Sequence, residues 1–146
     1  MTDYDCDGLE LDFGMGGVVP AGTGEQLAPM LTEWVASISA MTRANGGILG
    51  VRIYPTLAGN AEMGLDVMEW VERGLVDYLM PYQYGYFELD SQMPIGWAID
   101  ACRDTDISVY GYCCGNPEGL TPTEPNRPLG NAIEGRGGAF SESAAM

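Results

Sequence analysis

Glu10 and Asp12 stand two residues apart in Asp7-Gly8-Leu9-Glu10-Leu11-Asp12-Phe13, with apolar residues at the alternate positions. Successive side chains on a strand point to opposite faces, so the two acids share one face and Leu9, Leu11 and Phe13 the other. Carboxylates at the carboxyl end of a strand can act as acid, base or nucleophile toward a bound substrate. The same alternation also fits a half-buried edge strand whose acids are simply solvated.

Composition narrows the chemistry. The 146 residues carry a formal charge of -15 and contain neither His nor Lys. A Ser-His-Asp triad, a Cys-His pair and any His-ligated metal are thereby excluded, and no metal or cofactor is expected. Acid and base work falls to carboxylates, tyrosines or cysteines. With 6 basic residues, all Arg, a phosphate-tracking patch cannot form, so nucleic acid and anionic membranes are not expected partners. The acidic start Thr2-Asp3-Tyr4-Asp5 lacks the positive region and apolar core of a signal peptide, and the chain reads as soluble. Cys6, Cys102, Cys113 and Cys114 have neither zinc-site nor thioredoxin spacing and read as small buried hydrophobes.

Strand and helix signals alternate along the chain. After the opening strand and a Gly-rich loop, a helix is expected to begin between Thr23 and Ala28, with Thr23 and Gln26 at capping-box spacing and Pro29 in the first turn. Its apolar stripe is Leu27, Met30, Leu31, Trp34, Val35, Ile38 and Met41, and Asn45-Gly46-Gly47 ends it. Ile48 to Tyr54 reads as a second strand closed by Pro55, which places Arg52 on the face that meets Glu10 if the strands are parallel neighbours. Asp66 caps a helix that Gly74 stops, Val76 to Pro81 gives a third strand, a helix follows from about Pro94, and Ile107 to Cys113 gives a fourth strand. Strands separated by helices predict βαβ units and a parallel sheet. The ordered part is expected over 1–118, followed by a Gly/Pro-rich, disordered tail over 119–146.

These segments resemble the middle of a bacterial family of glycosyl-hydrolase-like proteins related to glycoside hydrolase family 10. The residues that carry the resemblance are Tyr4 to Phe13, Val51-Arg52-Ile53-Tyr54-Pro55-Thr56, Gly64-Leu65-Asp66-Val67 with Trp70-Val71, and Gly74 to Tyr78. The resemblance covers about residues 4 to 114 and implies an α/β fold, a partial (β/α)8 barrel whose strands here are four to seven of eight. A whole barrel takes about 250 residues. The chain is thus expected to be either a fragment of a longer product or a half-barrel that self-associates through open sheet edges. The opening strand also resembles the acidic strand of family 18 chitinases, but Gly14 stands where that family's acid would be.

Glycoside hydrolysis needs two carboxyl groups about the scissile bond. Asp12, at the strand end, is the first candidate, and Glu118, on the loop after the fourth strand, is the second. Glu88 and Asp90, on the loop after the third strand, are alternatives for the partner. Glu10, Arg52, Tyr54, Tyr82, Tyr84, Glu88 and Asp90 are the candidate substrate-binding residues, because flat rings with polar tips and carboxylates suit a carbohydrate. Two further readings stand beside the hydrolase. One is a barrel remnant that binds carbohydrate or a partner chain without cleaving. The other is a calcium loop, since Asp3, Asp5, Asp7 and Gly8 fit its first six positions, although Gly14 replaces its final Glu.

Overall fold

A computed structural model describes residues 6–13, 22–82 and 93–111. Its elements run β1 (Gly8–Asp12), α1 (Gly24–Ala44), β2 (Ile48–Ile53), α2 (Leu57–Glu62), α3 (Val67–Glu72), β3 (Tyr78–Pro81), α4 (Gly96–Cys102) and β4 (Ser108–Val109). The strands form one parallel sheet in chain order, β1-β2-β3-β4, with helices between them. The fold is α/β, a four-stranded parallel sheet with flanking helices. The tail over 119–146 lies outside the described residues.

The two faces of the sheet differ as the alternation requires. Leu49, Val51, Ile53 and Leu79 are fully buried and meet Val35 of α1, Val67 and Trp70 of α3, and Ala98 of α4. Burying such side chains is worth about 1.5–3 kcal/mol each, which fixes the register, because a slip of one residue would turn them toward water. The opposite face carries Glu10, Asp12, Gly50, Arg52 and Tyr78.

Helix α1 departs from expectation in two ways. Pro29 lies in the second turn, not the first, because the helix already starts at Gly24. That start is set by tertiary contact: a Cβ on Gly24 would collide with the Ala61 carbonyl oxygen, so glycine lets α1 touch the end of α2. Thr23 precedes the helix without a side-chain capping bond, and its carbonyl accepts from Gln26 and Leu27 instead. The buried face is also rotated from the apolar stripe. Gly24, Thr32, Val35, Ser39 and Thr42 face inward, whereas Met30, Trp34 and Met41 are exposed. Small side chains let the helix approach the sheet closely, and that outweighs the hydrophobicity of the larger ones.

Helix α3 follows its local signals, whereas two strands are shorter than expected: β3 begins at Tyr78 rather than Val76, and β4 runs only Ser108–Val109. The Asp66 side chain caps α3 by accepting from the Glu69 amide, and Gly74, at φ 59°, ends it. Gly46, at φ 72°, closes α1. The six-residue α2 was not expected. It is nucleated by Thr56, whose hydroxyl accepts from the Gly59 amide, and by buried Asn60. Asn60 Oδ1 accepts from Tyr54 N at 2.8 Å and its Nδ2 donates to the carbonyls of Tyr54 and Thr56. The chain leaving β2 is thus held by one fully bonded amide. Cys102 is buried as expected, but Cys6 is exposed, because the residues just before the edge strand β1 have no helix over them among the described residues.

Candidate functional site

The strand register sets the polar face out in two rows. The lower row runs Glu10, Gly50, Tyr78 and Ser108 across β1 to β4, and the row above it starts with Asp12, Arg52 and Met80. The expected meeting of Arg52 and Glu10 is present: Arg52 Nε lies 2.7 Å from Glu10 Oε1. Arg52 Nη1 reaches up to Asp12 Oδ2 at 3.3 Å, so one guanidinium spans both acids. The Tyr82 ring lies beneath it, with the guanidinium carbon 5.8 Å from the ring centroid, within cation–π range. The side chains of Glu10, Arg52 and Asp12 keep 27%, 31% and 33% of their surface, so the cluster is open to a ligand yet partly shielded. At that exposure each ion pair is worth about 1 kcal/mol or less. Its value is in geometry.

Tyr78 completes the cluster. Its hydroxyl donates to Glu10 Oε2 at 2.8 Å although it stands two strands away. The ring gets there by lying across β2 at Gly50, where a Cβ would collide with it. Tyr110 meets it edge-on, with centroids 5.5 Å apart. The Tyr78 phenol is pushed up from 10.0 to about 12, first by removal from water, then by the hydrogen bond to Glu10 and that carboxylate's charge. An unfolded tyrosine ionises near 10.0 while the folded one keeps its proton until about 12. This group's stabilisation is therefore complete below pH 10 and fades as pH rises from there through about 12. An ultraviolet titration of the native chain should show a late-ionising tyrosine, and Glu10→Gln should bring it part of the way back. A titration identical in parent and variant would contradict the bond.

The remaining site expectations divide. Tyr54 is half-buried against the apolar core, its backbone clamped by Asn60. Tyr84, Glu88, Asp90 and Glu118 lie outside the described residues, as do Asp3, Asp5 and Gly14 of the calcium-loop reading. Among the described residues no three His, Cys, Asp or Glu side chains group to hold a metal, and no helix is long and apolar enough to cross a membrane.

Two further polar contacts are structural. Asp77 Oδ2 accepts from the Leu49 amide at 2.6 Å and its Oδ1 from Arg43 at 3.1 Å, which ties the end of α1 to the amino end of the sheet. Trp97 of α4 donates to the Pro55 carbonyl at 2.7 Å. A groove of about 780 Å³ also lies in the helical layer, lined among others by Pro29, Leu57, Val67 and Met68. Its Arg73 is engaged by Glu33 at 2.8 Å and Glu69 at 3.7 Å. The groove is lined by helix and loop residues, Glu25, Glu33, Asp66 and Glu69 among them, and not by the ends of strands, so the candidate site is the cluster around Arg52.

No family model matches the chain, and no curated protein matches it. The site therefore rests on its own geometry.

Proposed function

We propose that the chain is part of a glycoside-hydrolase-like (β/α)8 barrel that binds a carbohydrate at the carboxyl ends of β1 to β3, with Asp12 as a reacting carboxylate. The observation that carries this reading is the position of Asp12. It ends β1 on the polar face, paired with a guanidinium that also meets Glu10 and the Tyr82 ring, where enzymes with parallel barrels place their chemistry. The in-order parallel sheet, with helices against its apolar face and acids on the other, is the arrangement that a barrel wall requires. In this reading the sheet is strands four to seven, and Glu118, Glu88 or Asp90 supplies the second carboxyl group.

Both oxygens of Glu10 are engaged, one by Arg52 and one by Tyr78. Glu10 is accordingly a holding group rather than the second acid. That saturation also favours the second reading, a site that binds sugar without cleaving it. The two are separated by incubating the chain with α- and β-linked gluco-, xylo- and galacto-oligosaccharides, following new reducing ends together with shifts of the Arg52 side-chain resonance. Cleavage supports the hydrolase, and binding alone supports the non-catalytic site. Neither cleavage nor binding across the panel overturns both.

β1 and β4 are the sheet's edges among the described residues, and Met30, Trp34 and Met41 of α1 and Ile48 of β2 are exposed. Self-association through these edges is the partner reading that such exposure supports.

A further inference from the structure

We propose that Tyr78 is a positioning residue for Asp12, acting through Glu10 and Arg52 by means of the groove that Gly50 leaves across β2. The inference rests on the reading of Asp12 as the functional carboxylate and adds to it the group that sets Asp12's partner in place.

Distance alone makes Tyr78 unusual. Adjacent strands lie about 4.8 Å apart, so a side chain on β3 must cover nearly twice that to reach β1. An upright tyrosine would stand away from the sheet and miss Glu10. Tyr78 lies flat instead, over the one position of β2 in that row that has no side chain. From the far side, the Tyr110 ring meets it at 82° and limits its return to the upright position. Residues on or next to all four strands thus contribute to one small arrangement: Glu10, Gly50, Tyr78 and Tyr110.

The arrangement acts upward. Glu10 presents Oε2 to the Tyr78 hydroxyl and is left with Oε1 for Arg52 Nε. A guanidinium is a rigid planar fork, so fixing Nε fixes where the Nη groups point. Here one of them rests on Asp12 Oδ2. Without the Tyr78 hydroxyl, Glu10 is free to change rotamer, and Arg52 keeps Asp12 and the Tyr82 ring but loses the fixed partner at its Nε. The row through Gly50 holds, and the row through Arg52 meets the ligand.

Tyr78→Phe in the full chain tests this, because it keeps the ring and its packing on Tyr110 while removing only the hydroxyl. The readout is the Arg52 Nε–H resonance, identified by its loss in Arg52→Lys. In the parent it should exchange slowly with water. In Tyr78→Phe its exchange should rise about tenfold, the order that freeing Glu10 from its hydrogen bond to the Tyr78 hydroxyl implies. Gly50→Ala, which pushes the ring off β2, should reproduce the effect by an independent route. An Arg52 resonance unchanged in both variants overturns the proposal, whatever the chain does with sugars. If the resonance responds in both variants but no oligosaccharide binds the parent, the positioning holds and the carbohydrate reading fails.

Discussion

Asp12→Asn is expected to lower the rate of release of new reducing ends by about 10²–10⁴-fold, the contribution of a placed acid or base. Asparagine matches aspartate in shape but cannot exchange a proton at neutral pH or attack an anomeric carbon. The substitution also removes the negative partner of Arg52 Nη1, and with the Asp12 side chain one-third exposed that pair contributes about 1 kcal/mol or less to the fold. Activity should therefore collapse while the thermal midpoint moves little. Parallel rate and melting measurements on parent and variant check both halves. An undiminished rate would remove Asp12 from the chemistry, and retained binding without any parent activity would point to the non-catalytic site.

A loss of about 3–5 kcal/mol in unfolding free energy is expected for Trp70→Ala, measured by urea denaturation. Trp70 is fully buried, and its Nε1 donates to Thr32 Oγ1 at 2.9 Å, joining α3 to α1. Its ring also lies 5.6 Å from that of Phe13, the residue after Asp12. The truncation opens a large void, leaves a buried hydroxyl without its donor, and removes the floor beneath the end of β1. Domains are stable by about 5–15 kcal/mol, so this one change consumes roughly a fifth or more of an ordinary margin. Trp70→Phe should cost less, because it refills much of the space and forfeits mainly the bond to Thr32.

Much of this architecture can be read from local sequence. Alternation in β1, branched residues in β2 and the Asp66 and Gly74 signals around α3 each state their own structure. The meeting of Arg52 with Glu10 follows once β1 and β2 are taken as parallel neighbours. What local sequence hides depends on partners distant in the chain. Helix α1 turns Thr32, Ser39 and Thr42 inward rather than Met30 and Met41, since closeness of approach is decided by the sheet beneath. Helix α2 is too short to show a period and is set by Asn60 bonding backward to the end of β2. Tyr78 reads as an ordinary strand tyrosine until the register places Gly50 between it and Glu10.

The fit of Tyr78 over Gly50 also constrains the order in which the gene can change. A side chain gained at position 50 while the tyrosine remains strikes the ring, so that path begins by displacing the ring from β2. If position 78 first becomes smaller, position 50 is released, and many residues become acceptable there. The reverse history is equally directional, because a tyrosine can settle across β2 only in a lineage that already carries glycine. The tyrosine keeps its place across β2 only while position 50 carries no side chain, so what is acceptable at either position depends on the other.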